Sequence, residues 1–343
     1  MPLGSLDTPP ARTGRDQYPA TVVENVNLCR EHWRLVLRIP KFPATRPGQF
    51  VQVACRDTGV DYSAEREIDW QEGTPIGPEG QELMGRLAFL RRPFSLAGRR
   101  DTAGGVEIDL IQRVVGVGTD WMARLTPGDT VDVLGPLGNA FRLPAESEVA
   151  LFVGGGVGIP PMLYLASALA GRTGVAFCGA LTRDLLPMTI TADAAPSGTV
   201  GGRDELDVEP LYNVAEFARH GLPAVITTDD GSFGFRGFVT QALERYLDKY
   251  FPGGSRGGVR PVVYTCGPEP MMKRVADIAG ARGVECQVAV ERAMACGMGT
   301  CQSCCIRLKR DPQLDGAAFE GKDWIYKLAC TDGPVFLGKD LLW

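Results

Sequence analysis

Four cysteines near the C-terminus constrain this chain more than any other feature. Cys296, Cys301 and Cys304 are separated by four and two residues, and Cys330 follows in the run Ala329-Cys330-Thr331-Asp332-Gly333-Pro334-Val335. C-x4-C-x2-C…C is the plant-type spacing of a [2Fe–2S] cluster held by four thiolates. Gly297 and Gly299 lie between the first two cysteines. Glycine permits the φ values that turn backbone N–H groups toward sulfur. Those dipoles offset the extra negative charge of a reduced cluster. The competing reading is structural zinc. Zinc ribbons pair two short C-x2-C knuckles, and no second cysteine lies close to Cys330, so iron–sulfur is the better fit. Cys305 adjoins Cys304. Neighbours on a strand point to opposite faces, so Cys305 is assigned to packing, with Cys29, Cys55, Cys178 and Cys286.

The crowding is local: of ten cysteines in 343 residues, four fall within 296–305. Such clustering favours metal binding over a disulfide framework. Two histidines, His32 and His220, stand apart from every motif and give little support to a His-based metal site or triad. With 44% hydrophobic and 22% charged residues the balance is globular, which excludes a largely disordered or collagen-like chain. A net charge of −5 speaks against a nucleic-acid binder. Residues 1–17 contain Pro9, Pro10, Gly4 and Gly14 and no apolar run; they read as a disordered tail, not a signal peptide. Residues 149–170 lack charge and are long enough to span a membrane. Gly154-Gly155-Gly156 and Pro160-Pro161 interrupt them, so strand, turn and helix fit better. The chain is read as soluble and cytoplasmic, without a membrane partner.

At ~150 residues per domain the length implies two domains or three small ones. Residues 18–147 carry short β-like runs at 21–25, 34–39, 49–55, 87–90, 95–97, 106–114 and 130–134, with one short helix at 120–125. Many short strands separated by Gly and Pro predict a closed antiparallel barrel or a sandwich. Residues 57–86 read as an insertion. Two segments of this domain look chemical. Arg91-Arg92-Pro93-Phe94-Ser95 joins a cation for a diphosphate, an aromatic ring to cover a flat ring, and a hydroxyl to reach a ring nitrogen. The plain alternative is a surface basic pair beside a core Phe. Val115-Gly116-Val117-Gly118-Thr119 precedes the helix and lets backbone N–H groups approach phosphate; the alternative is a turn with an N-cap threonine.

Residues 148–283 read as an α/β domain. An apolar strand at 149–153 runs into Gly154-Gly155-Gly156-Val157-Gly158, then Pro160-Pro161, a helix at 162–170 and a strand at 175–181. That is the strand–Gly-loop–helix–strand form of a Rossmann-like dinucleotide site. Pro161 stands where the fingerprint wants Gly or Ala, and Thr182-Arg183-Asp184 follows the second strand instead of a lone acid. Residues 192–210 read as an insertion. Asp229-Asp230-Gly231-Ser232 and Cys266-Gly267-Pro268 each end a strand, on the side where open α/β sheets take ligands. Taken alone, Cys266 reads better as a small buried hydrophobe. Residues 284–343 form the cluster-binding module.

In this order the motifs resemble the ferredoxin–NAD(P) reductase superfamily fused to a C-terminal [2Fe–2S] module. More closely, the chain resembles electron-transfer subunits of type B, NAD-dependent dihydroorotate dehydrogenase. The specific stretches are Glu291-Arg292-Ala293-Met294-Ala295-Cys296-Gly297-Met298-Gly299 and Cys330-Thr331-Asp332-Gly333-Pro334-Val335-Phe336, supported by Thr228-Asp229-Asp230-Gly231-Ser232 and Gly135-Pro136-Leu137-Gly138-Asn139. The resemblance implies FAD on Arg92, Pro93, Phe94 and Ser95, with Ser95 near the isoalloxazine. It places Ile111, Gln112 and Arg113 on the phosphate and ribose side, and Gly118 and Thr119 at the diphosphate. It implies NAD near Gly155, Gly156, Gly158 and Asp229, Cys266 at the nicotinamide, and Cys296, Cys301, Cys304 and Cys330 on the cluster. Ser95 and Cys266 are then the residues nearest the reacting atoms. It also implies an FMN-containing dihydroorotate dehydrogenase catalytic partner in a heterotetramer. Electrons then pass through cluster and FAD to NAD in pyrimidine biosynthesis. Two other classes compete: a flavin/iron–sulfur subunit of a ferredoxin-linked transhydrogenase or hydrogenase-type complex, and a zinc-stabilised binding module without activity.

Overall fold

The computed structural model describes residues 16–57, 88, 90–169, 171–191, 208–310 and 323–343. The insertions expected at 57–86 and 192–210 lie almost wholly outside these residues, as do residues 1–15 of the expected tail. The first strand begins at Asp16, so the tail expected to run to residue 17 is shorter: Asp16 pairs with Gly135 and Gln17 with Leu134. Both are weak strand formers by type, and a preformed neighbouring strand recruits them.

The first sheet contains β1 (Asp16–Cys29), β2 (His32–Ile39), β3 (Phe50–Ala54), β4 (Arg92–Ser95), β5 (Gly98–Thr102), β6 (Gly105–Arg113) and β7 (Thr130–Leu137), with α1 (Val117–Ala123) between the last two. Their order is β4-β3-β7-β1-β2-β6-β5, and every pairing is antiparallel. β4 and β5 stand at opposite ends of that order, yet only Leu96 and Ala97 separate them in sequence. So short a link reaches about 10 Å. The sheet therefore curls until its edges meet, as a barrel does. Val51, Val53, Leu35, Leu37, Ile108, Leu110, Val131 and Val133 fill the interior.

The second sheet continues with β8 (Glu148–Gly155), α2 (Ile159–Ser167), β9 (Gly174–Ala180), α3 (Ala215–Ala218), β10 (Ala224–Thr228), β11 (Phe235–Arg236), α4 (Val239–Tyr250), β12 (Arg260–Cys266), α5 (Glu269–Ala281) and β13 (Glu285–Ala289). β14 (Cys305–Lys309), β15 (Trp324–Leu328), β16 (Val335–Leu337) and β17 (Leu341–Leu342) complete the chain. The sheet order is β11-β10-β9-β8-β12-β13-β16, parallel except for the last pair. Alternation along β8 explains the layers: Leu151 and Val153 pack with α4 and α5, whereas Ala150 and Phe152 pack with α2 and Phe217 of α3. Helices on both faces are the doubly wound arrangement.

β13 and β16 belong to this sheet although sequence assigned 284–343 to the cluster module. The cysteines dominate that stretch, but β12, α5 and β13 continue the same strand–helix–strand alternation as the strands before them. The module proper is the loop after β13 and a three-stranded sheet, β15-β14-β17. Its Ile306, Leu308, Cys330 and Leu341 share one core with Leu151 and Val263 of the parallel sheet and with Phe50 and Leu137 of the barrel.

Polar contacts fix the three parts together. Tyr164 of α2 donates to the Thr45 carbonyl at 2.9 Å. Arg142 pairs with Glu148 and Glu285, each at 2.8 Å. Asn139 Nδ2 donates to the carbonyls of Asp332 (3.0 Å) and Val335 (2.8 Å), while its Oδ1 accepts from Val335 N–H at 2.8 Å. Val335 is fully buried, so no water replaces the two bonds to its backbone. Asn139→Ala is expected to destabilise the protein by about 2 kcal/mol or more, read as a lower urea midpoint with unchanged slope. An unchanged midpoint would show that Asn139 does not hold the two segments together.

Candidate functional site

The cluster loop runs from β13 to β14. Gly297 and Gly299 take φ of 68° and 87°, which L side chains rarely adopt. The turn brings the N–H groups of Met298 and Cys301 onto Cys296 Sγ, each at 3.4 Å. Cys301 Sγ lies 3.2 Å from Ser303 Oγ. Hydrogen bonds from Ser303, followed by backbone N–H groups, pull the Cys301 thiol down to about 6, with Cys296 a direct neighbour. Cys304 ends the loop, buried in the shared core with Cys330. The Ala329 N–H donates to the Cys304 carbonyl at 3.1 Å. Burial and then contact with Cys304 push the Cys330 thiol up to about 12. The thiols thus stand as two pairs, Cys296 with Cys301 and Cys304 with Cys330. Among the described residues no three His, Cys, Asp or Glu side chains gather closely enough for one metal ion. Four cysteines in two pairs, with N–H groups aimed at sulfur, fit a two-iron cluster. Cys305 begins β14 opposite Leu328, and alternation turns it from the Cys304 side.

The segment expected to hold a flavin lies on β4, paired with β3: Ser95 faces Phe50, Phe94 faces Val51, Pro93 faces Gln52 and Arg92 faces Val53. The two arginines differ. Arg91 is tied to Asp132 at 2.8 Å. Arg92 donates to the Leu90 carbonyl at 3.1 Å, and among the described residues no carboxylate pairs with it. Its charge is therefore available to an anion. Phe94 packs against the edge of the barrel core. In the next loop Gly116 has open space where a Cβ would stand, whereas at Gly118 a Cβ would lie 3.2 Å from Cys55 Cβ and 3.3 Å from Ala88 Cβ. Gly118 thus serves packing. The Thr119 hydroxyl accepts from Val115 N–H (2.9 Å) and Gly116 N–H (3.2 Å), which shapes the loop. Ile111 sits in the core. Arg113 is held by Glu31 at 2.8 Å. Gln112 donates to the Thr119 carbonyl at 3.2 Å and leaves a buried Oε1 without a partner. An unpaired guanidinium, an open Gly116 and an orphaned amide oxygen fit a diphosphate-bearing cofactor here.

The glycine loop after β8 divides its labour. At Gly158 a Cβ would meet the Cys266 carbonyl oxygen at 2.1 Å, and at Gly155 it would meet Met271 Sδ at 2.6 Å. Both glycines let the loop close onto β12 and α5. Gly156, at φ +53°, has nothing within 4 Å, so a ligand's phosphates can approach its backbone. Buried Thr227 and Thr265 carry unpartnered hydroxyls near the C-terminal ends of β10 and β12, where such sheets bind ligands. Asp229 follows β10; burial, then Asp230, pushes its carboxyl up. Cys266 is buried, with Sγ 3.9 Å from Glu291 Oε1. Burial raises the thiol above its ordinary value, while Glu291 itself is exposed.

Residues 291–342 match the iron–sulfur cluster binding domain of dihydroorotate dehydrogenase B. The chain is 30% identical over 282 residues to the dihydroorotate dehydrogenase B (NAD(+)) electron transfer subunit of Caldanaerobacter subterraneus subsp. tengcongensis, covering 81% of this chain and 92% of that one. The chain belongs to that family. A probable member from Methanopyrus kandleri is 30% identical over 325 residues, 94% of this chain and 91% of the relative. Among solved structures, an NADH-dependent reduced ferredoxin–NADP oxidoreductase studied for flavin-based electron bifurcation aligns with TM-score 0.63 and 26% identity over 94% of this chain and 90% of its own. FAD, NAD and a [2Fe–2S] cluster are the cofactors of this family's fold.

Sequence reasoning gave no role to two residues that the structure brings to the site. Glu291 is reached because β13 runs parallel to β12, with Ala289 beside Cys266; an acid two residues beyond an apolar strand was the available signal. Gln52 is the other, a polar residue inside the apolar run of β3.

Cys301→Ser is expected to lose the electron paramagnetic resonance signal of the dithionite-reduced cluster, and Cys305→Ser to keep it. The reverse pattern would contradict the ligand set.

Proposed function

We propose that this chain is the electron-transfer subunit linking a dihydroorotate-oxidising partner to NAD in pyrimidine biosynthesis. The observation that carries this reading is the two pairs of thiols in a chain of this family, with Cys304 and Cys330 in the core that Phe50 of β3 enters and Gly297, beside Cys296, against Gln52 of the same strand. When bound, FAD and the cluster supply conversion between one-electron transfer and hydride exchange with NAD. The protein's part is to hold and orient them. Arg92 and the Gly116 backbone take the FAD diphosphate, and Phe94 and Ser95 flank the ring. The Gly156 backbone takes the NAD diphosphate, and Cys266 with Glu291 borders the nicotinamide. Cys296, Cys301, Cys304 and Cys330 hold the cluster.

No side chain in this arrangement is placed as an acid or base for dihydroorotate. That chemistry belongs to the partner, for which we propose an FMN-containing dihydroorotate dehydrogenase subunit in a cytoplasmic heterotetramer. Among the described residues no helix is long and apolar enough to cross a membrane, in keeping with that setting. The likeness to the solved ferredoxin–NADP oxidoreductase supports a second reading, in which the partner is ferredoxin-linked.

The isolated, cofactor-loaded chain should oxidise NADH with artificial acceptors such as ferricyanide and leave dihydroorotate untouched. Adding the FMN-containing subunit should couple dihydroorotate oxidation to NAD reduction. Full-rate turnover of dihydroorotate by the isolated chain would end the relay reading. Failure to bind that subunit, with binding to a ferredoxin-linked one, would establish the second reading in its place.

A further inference from the structure

Gln52 is the single polar residue of β3 and is fully buried. Alternation along the strand fixes its direction. Val51 and Val53 point into the barrel, and Phe50 packs in the core that holds Cys304 and Cys330. Gln52 shares the Phe50 face, and the structure lays its amide across the cluster loop. A Cβ at Gly297 would stand 2.6 Å from Gln52 Oε1, 2.7 Å from Cδ and 3.1 Å from Nε2. The amide thus covers the residue next to Cys296, and any side chain at Gly297 would displace it. Among the described residues neither amide atom has a hydrogen-bond partner.

An amide buried with both ends unpaired is costly, and an apolar residue of the same shape would avoid the cost. The position therefore calls for a partner supplied from outside the chain. Cys296 Sγ already receives the N–H groups of Met298 and Cys301 from within the loop. Gln52 approaches the same loop from the barrel side. Across the ladder, Pro93 stands opposite Gln52 and Ser95 opposite Phe50, so the amide also lies at the border of the flavin strand.

We propose that Gln52 Nε2 donates a hydrogen bond to a sulfur of the cluster held by Cys296, and so raises the cluster's reduction potential. The inference rests on the cluster assignment made above. Reduction adds one electron and hence one negative charge, with no covalent bond made or broken. A donor aimed at sulfur stabilises the reduced form more than the oxidised one. Gln52 is a positioning residue on the barrel that tunes the cluster from across the domain boundary.

The test uses the full, cofactor-loaded chain, with iron and acid-labile sulfide measured first. Gln52→Met keeps the length and removes the donor; Gln52→Glu keeps the shape and replaces the donor by an acceptor. Redox titration followed by electron paramagnetic resonance should show the Met variant at a more negative cluster potential, by about tenfold in the one-electron equilibrium or ~59 mV. The Glu variant should lie lower still. Both should show altered cluster g-values and an unmoved flavin potential. If the Met variant fails to load, the Glu variant decides. If the natural chain holds no iron and sulfide, the cluster assignment falls and this inference with it. If the natural chain loads and the variants keep its cluster potential, the role of Gln52 alone is refuted. A shift confined to the flavin, or loss of loading in both variants, refutes it as well, by assigning the amide to the flavin or to folding.

Discussion

Strand β3 is buried along its whole length, and its two faces serve different parts of the molecule. Val51 and Val53 complete the barrel interior. Phe50 enters the core built by the parallel sheet and the cysteine module. On one edge β3 carries β4, the segment we propose for the flavin; on the other it carries β7, which leads to Asn139 and Arg142. A five-residue strand therefore fixes the relation of the flavin segment to the cluster loop. Electron transfer between two cofactors depends on a fixed, short separation. A strand buried on both faces holds that separation more rigidly than a linker could.

The glycines show how the same residue type serves opposite ends. Gly158 and Gly155 allow backbone to pack on backbone and on Met271. Gly116 and Gly156 leave open space. Gly297 belongs with the first pair, receiving the Gln52 amide, and adds a positive φ. A glycine-rich string in sequence announces a close approach without saying whether the approaching group is the protein or a ligand.

That limit marks what was legible from sequence. The cysteine spacing, most of the barrel strands and the strand–loop–helix unit were readable because each is a local pattern with one dominant physical cause; the strand expected at 95–97 is instead centred on the link between β4 and β5, and β5, Gly98–Thr102, has no apolar residue to announce it. β10 falls on the residues expected, 224–228, and α5 runs one residue beyond its expected end at 280. Membership of β13 and β16 in the parallel sheet was not readable, because it depends on pairing with β12 and with each other across the chain. The same holds for the separation of Arg91 from Arg92, which Asp132 decides from β7. It holds also for Thr119, whose hydroxyl turns inward on its own loop. Gln52 and Glu291 acquire roles only when β3 meets the cysteine loop and β13 lies beside β12.

The central claim is that one chain joins a nicotinamide site, a flavin site and a cluster into a single conducting unit. Anaerobic addition of NADH to the isolated, cofactor-loaded chain tests it most directly, with the flavin followed by absorbance and the cluster by electron paramagnetic resonance. The account predicts that NADH alone bleaches the flavin and brings up the reduced [2Fe–2S] signal within the same protein. Flavin bleaching with a cluster that stays oxidised, and that dithionite alone can reduce, would contradict it.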